Sequence, residues 1–374
     1  MGHAAGSTNT ASNADVKFLM ARGDFVYFTA KDATRLGFTD MDIGKSDVFR
    51  QNLLTGEVRL LSHMTDSVTS AMNGDYLPNS LVVSADQRYV AFTYEVAAGK
   101  VGGFTFNQSG DAILLADTQT GSIKLANWTL TPDTGDSSLL SGSPDATAKA
   151  FSADNQSLVF VSTYSTFLGA VNGTGGQTVA MLAAYDLADG AIRRLSHAPD
   201  PTSVTAANSA TFEAMSADGR HMYFSATDAS KFGNGGVAFT DANTSAKDLF
   251  QVDVASGQIV LISGNAGASW GTDTTYLGAT ESGQILYKTA NVNALQGSGF
   301  NDSNTTGTDL LVQKTALIDL ATADDTVGGD AGTEADNVTT QTSFTLTAKV
   351  QPNLAVRLLD GLSDVAQATA DANG

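Results

Sequence analysis

Three segments of this chain place oxygen-bearing side chains at one repeated spacing. They are Phe38-Thr-Asp40-Met-Asp42 followed by Asp47, Phe239-Thr-Asp241-Ala-Asn243 followed by Asp248, and Phe300-Asn-Asp302-Ser-Asn304 followed by Asp309. Oxygens two residues apart in a turn can face one point, and a third Asp entering a strand can close a cage around it. Calcium takes about 6–8 oxygen ligands, with backbone carbonyls and water completing the shell. The spacing nominates Asp40, Asp42, Asp47, Asp241, Asn243, Asp248, Asp302, Asn304 and Asp309 as metal ligands and calcium as the ion. A structural reading fits the same residues: Asp and Asn make Asx turns, a repeat copies any turn it contains, and the Phe is then a plug beneath the loop. The loops are not EF-hands, because the twelfth position from the first Asp is Gln51, Val252 or Gln313, never Glu.

Other candidate chemistry is sparser. Gly44-Lys45-Ser46 imitates the end of a P-loop, but Thr39 stands where its first glycine is required. No G-x-S-x-G nucleophile elbow occurs. His63 and His197 each follow Leu-Ser after a fourth strand and read as solvated surface residues. Arg22-Gly23-Asp24 has the composition of an adhesion tripeptide but occupies a tight hairpin where Gly-Asp is expected. Glycoside hydrolysis needs two carboxylates facing one sugar. Among the segments expected to line a central channel (VKFLM, SLVVS, AKAFS, FEAMS, YLGAT), Glu213 alone is acidic, with Lys17 and Lys149 as its expected charge partners.

The elements that would position these groups follow from self-similarity. Five segments share a strand, a small polar turn and an aromatic-rich strand: 16–30, 80–94, 148–162, 212–226 and 276–290. Their equivalent positions Met20, Ser84, Ser152, Ser216 and Thr280 are separated by 64, 68, 64 and 64 residues. Each is followed by a second strand pair, as in DVFRQNLLTGEVRLLS from Asp47 and DLFQVDVASGQIVLIS from Asp248. Alternating β-branched and aromatic residues broken by Asp, Gly and Ser are the hairpin signal, and four strands per repeat is the pattern of propeller blades. The expected fold is all-β: a β-propeller with five complete four-stranded blades over 15–321, after a lead at 1–14. Residues 322–374 are expected to supply a partial sixth blade, closing strands or a linker. Leu346–Asp360 repeats the strand-turn-strand shape, whereas 361–374 is too short and Ala-rich to finish a blade.

Ser216-Ala-Asp-Gly219, Tyr223-Phe-Ser225 and the run from Asp248 to Gly257 resemble the TolB-type propeller repeat, over residues 16 to about 321. The resemblance implies the fold, commonly with six blades, and is silent on function. In such a blade the turns joining strands one to two and three to four share one end, and the remaining connectors share the other. Here the first set is tight and the second long, so all excess length should gather at one end, where binding usually sits.

Composition narrows the function classes. A net charge of -19 argues against nucleic acid, which needs a basic footprint. No apolar run is long enough for a membrane span. There are 34 Asp against 5 Glu, a bias toward turns over helices, and no Cys for disulfides, thiolate zinc or cysteine catalysis. The expectation is a non-catalytic binding or adhesion module of an exported bacterial protein, extracellular or at the cell surface with the periplasm as alternative, within a larger polypeptide. It would recognise a protein or glycan through the long connectors, with calcium stiffening them. The alternatives are a hydrolase or lyase with a channel site around Glu213, and a structural spacer.

Overall fold

The computed structural model describes residues 15–127 (without 97–98, 102–103 and 107–108), 146–163, 179–200 and 208–279 (without 266–267 and 270–271). It also describes 285–289, 308–313, 317–320, 346–349, 355–360 and 363–369. The protein is all-β and folds as a β-propeller of antiparallel blades. Blade 1 is Lys17–Arg22, Phe25–Ala30, Asp47–Asn52 and Val58–Leu60 in that spatial order. Blade 3 is Ala146–Phe151, Ser157–Ser162, Met181–Asp186 and Ile192–Arg194. Blade 4 is Ala210–Met215, His221–Thr227, Lys247–Asp253 and Ile259–Leu261.

Blades 2 and 5 depart from the sequence expectation. The inner strand of blade 2 is split into Gly74–Tyr76 and Val82–Val83, both paired with Tyr89–Val96, and Gly110–Asp117 and Ser122–Leu125 complete the sheet. Pro78 lies in the break; proline cannot donate to a ladder and the strand resumes only beyond it. In blade 5, Thr274–Ala279, Ile285–Thr289 and Asp309–Gln313 form three strands. The expected fourth, Leu317–Leu320, pairs instead with Leu346–Lys349. Ala355–Asp360 pairs with Ser363–Thr369, so 361–374, expected to be too short to finish a blade, supplies a strand, and Leu346–Lys349 and Ala355–Asp360 each pair elsewhere rather than with each other. The lead 1–14 lies outside the described residues.

Consecutive side chains on a strand point to opposite faces, so each blade has two apolar faces to cover. In blade 4, Phe224 and Phe250 stack at 4.8 Å and pack with Val159, Leu182 and Leu195 of blade 3. Their neighbours Tyr223 and Leu249 pack with Ile285 and Tyr287 of blade 5. Tyr27 and Val48 of blade 1 join Phe92, Tyr94 and Leu114 of blade 2, and Ala91 and Ile113 of blade 2 join Leu158 and Phe160 of blade 3. Each fully buried Phe is worth about 1.5–3 kcal/mol, and Phe or Tyr rings line every seam between described blades.

Three recurring polar devices end the strands. Ser84, Ser152 and Ser216 each donate to the Asp two residues on and accept the N–H five residues on, closing the turn between first and second strands. Asn52, Asp117, Asp186 and Asp253 accept N–H groups two or three residues ahead. Gly56, Gly121, Gly190 and Gly257 then take φ from 71° to 78°, completing the turn between third and fourth strands. Where each third strand begins, its N–H is taken by a side chain beyond the fourth: Val48 by Ser62, Ile113 by Asn127, Leu182 by Ser196 and Leu249 by Ser263.

The first-to-second turns of four blades stand in a row at one end. Arg22 donates to Val83 O at 2.5 Å, the Asn155 side chain accepts from Ala85 N at 2.8 Å, and Gly219 abuts Ala153. Arg22-Gly23-Asp24 thus belongs to a blade contact. At the other end the long connectors meet: Thr39 N donates to Thr69 O, Ser269 N to Thr240 O, and Gly236 N to Pro199 O. Segregation of connectors from hairpins therefore holds for blades 1 and 4.

His63 and His197 are not the solvated residues their position suggested. Each is 4% exposed. The Nδ1 and Nε2 of His197 lie 2.6 Å and 2.8 Å from the carbonyls of Ala198 and Gly257, tying the end of blade 3 to a turn of blade 4.

Gly219 has φ +62°, and an added Cβ would sit 2.2 Å from Ala153 N; Gly56 has φ +75° with nothing within 4 Å. Gly56→Ala should therefore cost about 1–2 kcal/mol, the left-handed penalty alone. Gly219→Ala should cost more and broaden the transition in urea denaturation; equal costs would contradict the packed turn row.

Candidate metal centre in the first connector

Two connectors are built alike. In blade 1, Asp32-Ala33-Thr34-Arg35-Leu36 opens the excursion and Phe38-Thr39-Asp40 closes it; in blade 4, Asp228-Ala229-Ser230-Lys231-Phe232 opens and Phe239-Thr240-Asp241 closes. Asp40 Oδ2 accepts from Ala33 N at 3.0 Å, and Asp241 Oδ2 accepts from Ala229 N at 2.7 Å. Each Asp also makes the Asx turn, Asp40 Oδ1 with Asp42 N at 3.0 Å and Asp241 Oδ1 with Asn243 N at 2.8 Å. Phe38 and Phe239 rest on Phe49 and Phe250 at 5.5 Å and 6.1 Å. The Asx-turn and plug readings therefore describe the local geometry.

That geometry leaves something over. In blade 1 a ligand oxygen from each of Asp40, Asp42 and Asp47 can be chosen with all three within 4.8 Å of one another. Asp47 is 1% exposed; its Oδ1 accepts from Ser62 Oγ at 2.8 Å and Tyr94 OH at 3.0 Å. Asp42 Oδ2 accepts from Gly74 N at 2.8 Å, across the junction into blade 2. Asp42 Oδ1 and Asp47 Oδ2 are buried with no hydrogen-bond partner. Burial pushes the Asp47 carboxyl up to about 8, against the Ser62 and Tyr94 hydrogen bonds and aided by the charges of Asp40 and Asp42. Burial likewise lifts Asp42 to about 6, with Asp40 adding to the rise. Two bare carboxylate oxygens inside a three-carboxylate cluster are costly unless a proton or a hard cation meets them.

Blade 4 has the same plan with less charge. Asp248 is fully buried, its Oδ1 accepts from Ser263 Oγ at 2.8 Å, and its Oδ2 has no partner. Burial, with the charge of Asp241, lifts it to about 7. Asn243 replaces the middle carboxylate and accepts from Ser245 N at 3.1 Å and Ser245 Oγ at 2.7 Å, while Ser269 Oγ donates to Asp241 Oδ1 at 2.8 Å. The ligand set is thus poorer and more of it is occupied by hydrogen bonds. Asp302 and Asn304 lie outside the described residues; Asp309 opens the third strand of blade 5.

Sequence reasoning missed the partners that complete these centres. Asp75 accepts Ser46 N at 2.9 Å and Asp273 accepts Lys247 N at 2.8 Å, each pinning the residue before the buried Asp. The Leu-Ser and Ile-Ser ends of the fourth strands, visible as a repeat, were the available signal for Ser62 and Ser263. Asp75 also corrects the channel inventory, because the inner strand of blade 2 begins at Gly74 and so carries an acid. Glu213 sits at a bulge between Phe212 and Ala214 and accepts from Ser225 Oγ at 2.5 Å. Among the described residues Glu213 forms no ion pair with Lys17 or Lys149, and burial holds Lys149 below its ordinary range.

No family model and no curated protein matches this chain. Among solved structures it is similar to TolB from Acinetobacter baumannii, at 15% identity and a TM-score of 0.32, over 72% of this chain and 50% of that one. It is similar to dipeptidyl peptidase 4 of Porphyromonas gingivalis at 10% identity and a TM-score of 0.39, over 82% and 45%. The β-propeller domain of Myceliophteria thermophila Cps50 (Swd1) matches at 14% identity and a TM-score of 0.32, over 79% and 73%. The chain spans half the length of the Acinetobacter protein. Superpositions this loose add nothing on function, and the propeller architecture rests on the chain's own sheets.

A carboxyl raised on folding takes up a proton the unfolded chain has released. In chelator, stability should therefore fall as pH rises from about 4 toward about 8, as Asp47 is forced to ionise. Asp47→Asn should flatten that slope and raise the melting temperature near pH 8; an unchanged slope in the variant would show that Asp47 is not the group.

Proposed function

We propose that this propeller is a non-catalytic module, acting outside the cytoplasm and within a larger polypeptide, that binds a protein or glycan across the end where its connectors gather. Calcium would bind among Asp40, Asp42 and Asp47, and more weakly among Asp241, Asn243 and Asp248. The observation that carries the reading is the meeting of connectors on one rigid end, with buried, incompletely satisfied carboxylates at their roots. Ordering connectors before a ligand arrives reduces the entropy lost on binding.

The cation's place is structural. Asp42 and Asp47 reach Gly74 and Tyr94, so an ion held between them joins the connector of blade 1 to blade 2. Calcium needs more oxygens than three carboxylates provide in single contacts, and carbonyls or water would supply the remainder.

A channel hydrolase is the weaker reading. The carboxylates of the described inner strands are Asp75 and Glu213. Asp75 is bound to Ser46 N and Lys45, and Glu213 to Ser225. No helix among the described residues is long and apolar enough to cross a membrane, which leaves β-barrels unaddressed.

Calcium at about 100 times its dissociation constant should stabilise the chain by about 2.7 kcal/mol at one site. Asp42→Ala should remove most of that gain and Asp241→Ala a smaller part. No calcium shift would end the metal claim and leave the propeller intact. Glycan-array binding that requires calcium and proceeds without turnover supports the module, whereas turnover abolished by Glu213→Gln would replace it with the hydrolase.

A further inference from the structure

The seam between blades 1 and 2 opens at its rim into a cleft of about 380 Å³. Arg50 and Arg59 stand opposite each other on the third and fourth strands of blade 1. Both donate to the carbonyl of Thr118 in blade 2, Arg50 Nη2 at 3.4 Å and Arg59 Nη1 at 3.2 Å. Two carboxylates border the cleft and both are engaged. Glu57 accepts from Arg59 Nε at 2.7 Å, and Asp117 accepts from Arg88 at 2.7 Å and 3.1 Å.

Arg50 is the charge left over. It is 8% exposed, forms no ion pair among the described residues, and its Nε is buried without a hydrogen-bond partner. The ring of Phe25 covers one face of its guanidinium at 4.6 Å. The long bond to Thr118 satisfies one donor of five. Burial draws its proton affinity down and the nearby Arg59 adds to the fall, while the adjacent Tyr27 hydroxyl and Glu57 act against it. A buried charge normally has a counter-charge, and in a chain of net charge -19 carboxylates are plentiful. At the corresponding place on the third strands of blades 2, 3 and 4 stand Leu115, Ala184 and Gln251, so the arginine is no requirement of the blade.

We infer that this cleft binds an oxyanion, the carboxylate or phosphoryl group of a small ligand, against Arg50. Arg59 contributes a second guanidinium, and Phe38 and Val68 form an apolar wall for the rest of the molecule. A guanidinium presents paired donors that match both groups in fork geometry, and the cleft falls within the usual size of small-ligand sites. The cleft shares Phe38 with the connector that carries Asp40 but takes none of the carboxylates of that centre, so an anion held there goes beyond the function proposed above.

Isothermal titration of the full chain with D-glucuronate, glucose 6-phosphate and glucose tests this and separates the two sources. At least one anion should bind saturably at millimolar concentration or below, and glucose should not. Tighter glucuronate identifies a carboxylate ligand, and tighter glucose 6-phosphate a phosphoryl one. Arg50→Gln should weaken binding at least about tenfold, and Arg50→Lys less, because the charge stays and the fork is lost. Arg59→Gln, at a half-exposed side chain, should weaken it several-fold with melting unchanged, and it decides the matter should the Arg50 variants not fold. Absence of saturable binding by both anions, or binding unaltered in Arg59→Gln and in every Arg50 variant that folds, overturns the inference.

Discussion

A four-stranded sheet whose strands carry large apolar residues at consecutive positions has two oily faces and no way to cover both by itself. Tyr27-Phe28, Val90-Ala91-Phe92 and Tyr223-Phe224 each send neighbours to opposite sides. Only another sheet of the same kind on either side satisfies such a strand, and from that constraint the row of blades, the stacked hairpin turns and the gathered connectors follow. The first blade shows what happens where no preceding blade is among the described residues. Phe28 and Phe49 stack at 5.4 Å under Phe38, Ala33 and Leu36, so the chain's own connector covers them.

Packing alone would leave the strand ends poorly fixed, and short side chains perform that work. Serines, asparagines and aspartates accept the orphan N–H groups of nearly every described turn, each such bond worth about 0.5–1.5 kcal/mol net. The same chemistry creates the tension in the first connector. Asp47 sits where the third strand begins, and the equivalent residue in blade 4, Asp248, is as deeply enclosed. One oxygen of each is bound by a serine; the other is not. A turn-forming acid copied through a repeat does not require such enclosure, because the Asx-turn acids Asp186 and Asp253 of blades 3 and 4 are only half-buried.

Much of this was legible in the residues. The period of the repeat, the tight turns at Gly56 and Gly257 and the aromatic second strands predicted the blades because their causes are local: φ > 0, Asx turns and alternation. The Phe-x-Asp-x-Asp spacing brought Asp40, Asp42 and Asp47 together for the same reason. What escaped was non-local. Nothing near His197 says that a turn of the neighbouring blade will cover it, and the pairing of Leu317–Leu320 with Leu346–Lys349 depends on which edge is available. Asp75 was hidden because the inner strand of blade 2 starts earlier than the repeat suggests and breaks at a proline. Arg50 gives no sign in the sequence, since only its enclosure makes it unusual.

The two matching connectors also differ in length. Gly37 alone separates Leu36 from Phe38, whereas 233–238 separates Phe232 from Phe239, with Gly233–Asn234 and Val237–Ala238 folded into a minute hairpin. Both excursions are nonetheless fastened at their two feet by the same bond, from the alanine N–H to the aspartate carboxylate. Material can be inserted between those feet without the scaffold registering it. Such a closed stem makes the span above it an interchangeable cassette, free to diversify in length and composition while the blade beneath stays fixed, much as an antibody framework tolerates its hypervariable loops.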